Sequence, residues 1–404
     1  MPNCVAGFFY FILMKNNDYD IVIAGAGASG LTLLWYILNS EHLENLRILL
    51  LDQSLKPDNS KTWCFWNKGP FPLAKLVYHS WKKLEVRTSE NRFAESLNQY
   101  KYQCIRSIDY TKEILYLARK SSRVDLVETS IQEFDFKSEK ALTITDDGTY
   151  SSELVFQSVK KPKDYHRSKA DNVLLQHFTG WEIETSEELF NPERAIFMDF
   201  DVPQQNGVTF MYLLPYQKTR ALVEYTIFSE SLLPADVYEK ELKRYLAQKY
   251  DLNEESFKIL RKEKGVIPME DRKYNQWYCQ NVMNIGIIGG FAKPSSGYAF
   301  MRIHEQCREI VNALENNFAL PDRPVSSYRF RVYDMMLLYL LKHEPDISLK
   351  IFHDFFRKNS FNTILKFLDE KTNFAQEVTI FSKVPYIPFF KSIYKMKHRI
   401  FTGA

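Results

Sequence analysis

The sequence predicts an α/β protein: a Rossmann-type dinucleotide-binding domain, interrupted by an inserted antiparallel-sheet domain and followed by a helical C-terminal region. Three observations carry that reading. A glycine fingerprint lies between an apolar β run and a helix candidate near the start of the chain. A second glycine-rich strand end recurs near residue 290. Between them, residues 176–229 alternate apolar strands with short polar turns. The 404 residues suit two to three structural units, and 45% hydrophobic with 25% charged residues is ordinary globular composition. Glycine is scarce, with 14 in the chain, so the cluster Gly25, Gly27 and Gly30 is informative.

Cys4–Met14 is an apolar run with no basic residue before it and no clear small-residue cleavage site after it. Residues 1–17 therefore read as an extension, disordered or upstream of a natural start at Met14, and not as an export signal. Asp20–Ala24 is a short buried-type strand and Leu31–Leu38 a helix. Between them, Gly25 permits a tight turn, Gly27 lets a pyrophosphate approach the backbone, and Gly30 lets the helix pack closely on the strand. The helix N-terminus offers N–H groups and a positive dipole end to phosphates. Leu46–Leu51 is a second strand ending in Asp52, 22 residues beyond Gly30, where an acid accepts hydrogen bonds from ribose hydroxyls. The rival reading is a merely structural glycine turn; strand, helix and acid together favour a dinucleotide.

Leu126–Ile131, Ala141–Thr145 and Leu154–Phe156 read as strands, with Asp146, Asp147 and Gly148 as a hairpin turn. The segment 160–168 carries Lys160, Lys161, Lys163, His166 and Arg167, a solvated basic loop or an anion contact. Ala195–Val202, Val208–Leu214 and Arg220–Phe228, joined by turns at Gln204–Gly207 and Pro215–Thr219, form a meander on the substrate side. Pro234–Lys249 is helical, with Val237, Leu242, Tyr245 and Leu246 as its apolar contacts. Asn284–Gly290 reads as an apolar strand ending in Gly289 and Gly290, followed by a helix over Met301–Asn316. A glycine-rich strand end this far downstream suits FAD better than a small NAD domain, because the flavin end of the cofactor needs its own wall. Residues 326–404 are helical and rich in phenylalanine, with basic partners such as Arg357, Lys358 and Lys366. They form a packing subdomain, line an apolar tunnel, or rest on a membrane. The domain boundaries are 18–85, 125–170 and 265–325 for the nucleotide domain, 86–124 and 171–264 for the substrate domain, and 326–404 for the C-terminal region.

Other classes are disfavoured. A net charge of +3, from 53 basic and 50 acidic residues, gives no nucleic-acid-binding field. No apolar stretch reaches the ~18 residues of a membrane span. The five dispersed cysteines predict neither a disulfide framework nor a zinc site, so no metal is expected and a reducing cytosol fits.

Taken in order, several segments resemble the bacterial lycopene cyclase family, the flavoprotein carotenoid β-cyclases. They are Tyr19–Gly30 with Asp52; Lys61–Trp66; Gln176–Trp181; Met198–Phe200; Tyr212–Pro215; Thr219–Thr226; Gly265–Met269; and Gly289–Tyr298. The resemblance runs over nearly the whole chain beyond residue 18. Two departures stand out. The family often has two adjacent acids on its catalytic strand, whereas here Glu224 is followed by Tyr225, so a second acid is absent or moved. An Asp-Ser pair of the family is here Gln157-Ser158.

The resemblance implies a glutathione-reductase-like FAD-binding domain, with FAD in its reduced form and NAD(P)H as electron donor. The substrate it implies is lycopene or a related linear carotenoid. The ψ-ends would close to β-ionone rings, giving γ-carotene and then β-carotene, with no net redox change. It also implies a cytoplasmic protein attached peripherally to the inner membrane, with residues 326–404 as the contact. Glu224 is the candidate acid. Leu222, Glu224, Thr226 and Phe228 share one strand face. An ordinary Glu, pKa ~4.3, is protonated only about once in 500 at pH 7, a handicap of roughly 3.7 kcal/mol. Burial removes it by raising the pKa. The alternative is a structural Glu paired with Arg220. Trp63, Phe65, Phe210 and Tyr212 are candidate substrate-lining rings that stabilise a cation, or else ordinary core. Gly289, Gly290, Lys293, Pro294 and Gly297 are the candidate flavin wall. Lys293 either holds charge on the reduced ring or lies on the surface, and Arg302 faces phosphate or solvent. The rival functions are a redox flavoenzyme on the same scaffold (a lipid or prenyl monooxygenase or reductase) and a non-catalytic carotenoid or flavin carrier.

Overall fold

Ile21, Val22, Ile23 and Ala24 are buried without an exposed alternate, as an inner strand of a parallel sheet requires. In the computed structural model, which describes residues 18–160, 170–317, 319–322 and 325–402, the strand Asp18–Ala24 is that inner strand. The extension 1–17 and all but the first residue of the basic segment 160–168 lie outside the described residues. Asp18–Ala24 runs parallel to Gly148–Gln157 on one side and to Ile48–Asp52 on the other. Val282–Asn284 and Val124–Glu128 extend the sheet outward, also parallel. The chain thus leaves its first strand in one direction and returns on the opposite side, which opens a crevice at the ends of Asp18–Ala24 and Gly148–Gln157. Helices Ala28–Leu38, Ser107–Lys120 and Phe300–Glu315 cover one face through Leu31, Leu34, Tyr110, Ile114, Ile303 and Ile310. The hairpin Ile131–Lys137 and Lys140–Thr145 covers the other with Phe134 and Ala141.

The second sheet has, among the described residues, seven strands in the order Phe257–Glu270, Val173–Thr185, Arg220–Ser229, Val208–Gln217, Arg194–Asp199, Lys83–Arg87 and Arg92–Ser96. Its neighbours are antiparallel except Arg194–Asp199 with Lys83–Arg87, which are parallel. Helix Ala235–Tyr250 covers the face bearing Val223, Tyr225 and Ile227, using Tyr238, Leu242, Tyr245 and Leu246. Val237, expected in that contact, is only half-buried, and Tyr238 takes its place. The opposite face, with Tyr212, Leu222 and Phe228, looks toward the C-terminal helices.

A small sheet of Thr62–Asn67, Lys101–Arg106 and His79–Trp81 joins the two units. Alternate residues serve both cores: Phe65 and Ile105 enter the nucleotide core, Trp66 and Tyr102 the other. Helices Tyr328–His343, Pro345–Lys358, Phe361–Leu368, Phe374–Phe381, Tyr386–Lys395 and Lys397–Thr402 close the chain.

Three sequence boundaries shift. Lys83–Arg87, divided by the expected boundary at residue 85, is wholly a strand of the second sheet, because its partner Arg194–Asp199 is remote in sequence. Ser107–Lys120, expected with the substrate domain, buries Tyr110, Ile114 and Leu115 in the nucleotide core. Asn284–Gly290 is a strand only as far as Asn284; Gly286–Gly289 turns, and Gly286 and Gly290 adopt φ of +67° and +84°. A side chain at Gly286 would meet Ser29 of the fingerprint helix, so the turn is drawn tight against that helix.

Candidate active site

Glu224 lies opposite Tyr212 on one neighbouring strand and opposite Gly180 on the other. Gly180 in turn lies opposite Glu263 on the edge strand Phe257–Glu270. Two carboxyls two strands apart therefore meet across a residue with no side chain. A Cβ at position 180 would sit 3.2 Å from Glu263 Cγ and 3.4 Å from Glu224 Cβ. The two acids hydrogen-bond each other, and Thr226 Oγ1 donates to Glu224 Oε1 at 3.0 Å. Burial first, and then the neighbouring Glu263 charge, push the Glu224 carboxyl well above the usual carboxylate range.

Glu263 is differently placed. It is ion-paired with Arg261 and accepts from Thr62 Oγ1 at 2.8 Å. Arg261 also reaches Glu182 at 2.9 Å, and Glu182 takes Arg220 Nε at 2.7 Å. Arg220, the sequence-level alternative partner of Glu224, thus pairs with Glu182. Sequence reasoning missed Glu263 and Gly180. Both lie in or beside the quoted motifs, but only strand pairing brings them to Glu224.

Above this sheet face is a cavity of about 100 Å³. Phe197, Met198, Tyr212 and Phe228 form its sheet side, the 293–298 turn one end, and Phe330, Tyr333, Phe352, Phe356, Phe367, Phe381 and Phe389 its helical walls. A smaller cavity of about 40 Å³ shares Lys293, Tyr298 and Leu368 with it and adds Cys64, Phe65, Trp66 and Phe300. Glu224 lines neither directly. Tyr212, Tyr298 and Cys64 line one or both and also lie within electrostatic reach of its carboxyl. Of the four rings expected to line the substrate site, Tyr212 lines the large cavity and Phe65 the small one. Trp63 instead packs on Tyr110 and Phe300 in the nucleotide core, and Phe210 is enclosed by Phe200, Tyr212 and Phe228. Each shares a strand side with a ring that does line a cavity, Trp63 with Phe65 and Phe210 with Tyr212, so position along the strand and not its side sets them apart.

At the fingerprint, Gly25 adopts φ +110°, and a side chain at Gly30 would collide with the Gly25 carbonyl oxygen. Gly27 is exposed, and none of the described residues lies within 4 Å of where its Cβ would be. The helix it caps has no side-chain cap and no acid in its first turn, leaving its N–H groups for an anion. Asp52 Oδ2 accepts from Ala26 N at 2.6 Å, so it also anchors the turn. Beside Asp52, the buried Thr129 hydroxyl has no partner among the described residues.

At the far end, Gly290 lies against the Tyr274 ring, and Gly297, at φ +70°, abuts Gln176 Oε1 so closely that no side chain fits. Gln176 Oε1 and Ser296 Oγ are buried without a partner among the described residues. The residues present fit an extended dinucleotide: open space for a pyrophosphate at Gly27, and unfilled acceptors and donors at both ends. The N–H groups of Lys293, Ser296 and Gly297 close on the carbonyls of Tyr298 and Lys293, and Pro294 has none, so little backbone N–H is left for a ring. The Lys293 ammonium is buried and bound to Asp334 at 3.0 Å and Glu370 at 2.9 Å. Arg302 binds Glu370 and Ser326. Neither cation is on the surface or waiting for a phosphate; both latch the C-terminal helices to the turn.

Helices Phe374–Phe381 and Tyr386–Lys395 have two apolar faces. Phe381 and Phe389, with Val384 between the helices, line the cavity. Phe374, Val378, Tyr386, Ile387, Phe390 and Tyr394 point outward, with Phe374, Phe390 and Tyr394 each 66–68% exposed. Exposed Lys391, Lys395 and Lys397 border them. No helix of the described residues is long and apolar enough to cross a membrane, and none of their His, Cys, Asp and Glu side chains cluster to hold a metal.

A family model described as lycopene cyclase protein matches residues 20–394. The chain is 27% identical over 293 residues to a lycopene beta-cyclase of Pantoea ananas, covering 70% of this chain and 71% of that protein. It is 28% identical over 296 residues to a lycopene beta-cyclase of a Paracoccus species, covering 70% of each. Among solved structures, a geranylgeranyl bacteriochlorophyll reductase-like protein of Thermoplasma acidophilum superposes with a TM-score of 0.56 at 12% identity, over 94% of this chain and 99% of that one. A flavoprotein/dehydrogenase of Cytophaga hutchinsonii gives 0.59 at 10% identity, over 87% and 92%. These structures share the fold.

Proposed function

The chain belongs to the lycopene cyclase family, and from that footing we propose that it is a lycopene β-cyclase in which Glu224 is the proton donor. The observation that carries the reading is the buried Glu224, its carboxyl pushed well up by burial, on the sheet face beneath an aromatic cavity. Its O–H bond breaks as the π pair of a ψ-end alkene takes the proton and forms a C–H bond. The tertiary cation left behind is attacked by a neighbouring double bond, closing the ring, and loss of a ring proton restores neutrality. Substrate and product have the same mass.

The chain's own contributions are three. A carboxyl kept protonated near neutral pH supplies the proton. The aromatic walls favour a cation by up to ~2 kcal/mol per desolvated ring. The apolar lining excludes water that would trap the cation. The extended dinucleotide site fits FAD, which Gly25, Gly27, Gly30, Asp52 and Thr129 would hold at one end and Gln176, Ser296 and Gly297 at the other. Bound there in reduced form, with NAD(P)H as donor, FAD would supply negative charge that favours a cation without being consumed.

A hydrocarbon of ~40 carbons resides in lipid, so the enzyme must meet a bilayer. The outward stripe from Phe374 to Tyr394 with its lysines is the proposed contact, lying without spanning at the cytoplasmic face of the inner membrane.

The test is expression in a lycopene-accumulating bacterial host, with pigment chromatography and mass measurement. The wild type should yield γ- or β-carotene of unchanged mass; Glu224→Gln should form no rings while still binding flavin. Unchanged β-carotene from Glu224→Gln would remove Glu224 as the acid. A product of altered mass with stoichiometric NAD(P)H consumption would favour a redox flavoenzyme instead.

A further inference from the structure

Glu224 is faced from every element packed around it. Its own strand gives Thr226; the strand Val208–Gln217 gives Tyr212; Val173–Thr185 gives the bare Gly180, with Glu263 and then Arg261 beyond. Cys64 and Tyr298 face it from Thr62–Asn67 and the 293–298 turn. Burial pushes the Tyr212 and Tyr298 hydroxyls and the Cys64 thiol well up, so these three stay neutral at working pH. Glu263 and Arg261 are the charged groups that remain. Arg261 and Thr62 both bind Glu263, whereas the protein donor to Glu224, besides any proton shared with Glu263, is the Thr226 hydroxyl. Two buried carboxyls in hydrogen-bond contact cannot both ionise without like-charge repulsion.

We propose that Glu263 is a positioning residue for the Glu224 proton: the two carboxyls hold one proton between them, and Arg261 and Thr62, bound to Glu263, fix that proton on Glu224. The inference rests on the reading of Glu224 as donor and supplies the second acid that position 225 lacks. In the resting pair the Glu224 O–H donates to the Glu263 carboxylate. When Glu224 gives its proton to the alkene, its O–H bond breaks and two adjacent carboxylates result. That arrangement makes Glu224 regain a proton readily, and the ring releases one per turnover, so protons and charge balance with no oxidant or reductant consumed. Gly180 is part of the device, because a side chain there would stand between the two acids.

The test is the pH–rate profile of flavin-loaded Glu263→Gln. The donor must be protonated, so the rate falls as pH rises through the Glu224 pKa. Without the neighbouring anion that value drops, and the alkaline limb moves acidward by about one to two units. The rate at pH 8 relative to pH 6 then falls by about severalfold. A residue that only supports the sheet would lower the rate equally at every pH. Gly180→Ala keeps both acids and wedges them apart, so a smaller shift in the same direction is expected. A readout free of turnover is the protonated-carboxyl infrared band that Glu224→Gln abolishes; in Glu263→Gln it should titrate away at lower pH. Wild-type limbs in both variants, or a band that titrates as in the wild type, overturn the proposal. If Glu224→Gln still forms rings, the donor reading itself has failed. If it is inactive and Glu263→Gln keeps the wild-type limb, only the positioning role has.

Discussion

Replacing Lys293 by Met removes the cation at the centre of the C-terminal latch. Its ammonium is 3.0 Å from Asp334 and 2.9 Å from Glu370, and the three side chains are 3%, 4% and 11% exposed. Glu370 keeps Arg302 and the Ser326 hydroxyl after the change. Among the described residues Asp334 keeps only the Ser295 hydroxyl, at 2.5 Å. The loss therefore comes mainly from a stranded Asp334, and breaking one side of a buried pair costs about 3–5 kcal/mol, a large part of the ~5–15 kcal/mol that holds most domains folded. Burial already raises the Asp334 carboxyl, and Lys293 is the group that pulls it down. Without Lys293 the folded-state value rises further above the unfolded one. A raised carboxyl lets the folded state keep a proton that the unfolded chain releases, so stability falls as pH climbs from the unfolded value through the folded one. The urea midpoint of Lys293→Met should therefore drop more at pH 8 than at pH 5.5. Adding Asp334→Asn should recover more than half of the loss at pH 8. A loss below about 1 kcal/mol, one equal at both pH values, or no recovery in the double variant would refute the reasoning.

Two further outcomes follow from the same geometry. Burial, more than the nearby Arg308, pushes the His304 imidazole down to about 3, against ~6.5 in the unfolded chain. A depressed histidine destabilises the fold as pH falls below the unfolded value; by pH 4.5 this amounts to roughly 2–3 kcal/mol. His304→Phe should flatten that part of the stability–pH curve, and an unchanged slope in acid denaturation would count against it. On the outer stripe, Phe390→Ser with Tyr394→Ser should weaken binding to anionic phospholipid vesicles by about tenfold to a hundredfold in co-sedimentation, from ~1.4–3 kcal/mol of lost apolar burial. Undiminished binding would move the membrane contact elsewhere.

What could be read from the sequence was what is local along the chain. The fingerprint depends on neighbours within one strand–turn–helix, so Gly25, Gly27, Gly30 and Asp52 fell where their spacing placed them. The face of Glu224 followed from strand alternation alone. The turn at Gly286–Gly290 reads as strand because its residues are apolar, while positive φ and the approach to Ser29 are set by tertiary packing. Glu263 was out of reach for the same reason. Its relation to Glu224 passes through two strand pairings and a glycine, and no spacing in the sequence encodes register between remote strands. Lys293 likewise reads as a loop cation until Asp334 and Glu370 arrive from the C-terminal helices. Trp63 and Phe210 show the limit of alternation: they share a strand side with the cavity rings Phe65 and Tyr212, but the rule does not say how far along the strand the cavity reaches.

The first strand's parallel partner has a consequence for how the protein is made. Asp18 pairs with the region of Ser151, 133 positions later. At a ribosomal pace of ~5–20 residues per second, the apolar segment Ile21–Ala24 waits roughly 7–27 s for that partner to emerge. The Lys83–Arg87 strand waits comparably for Arg194–Asp199. Neither sheet can close early in synthesis, so nascent chains expose unpaired hydrophobic edges for many seconds, and holding chaperones or slower growth should govern soluble yield more than the stability of the finished fold.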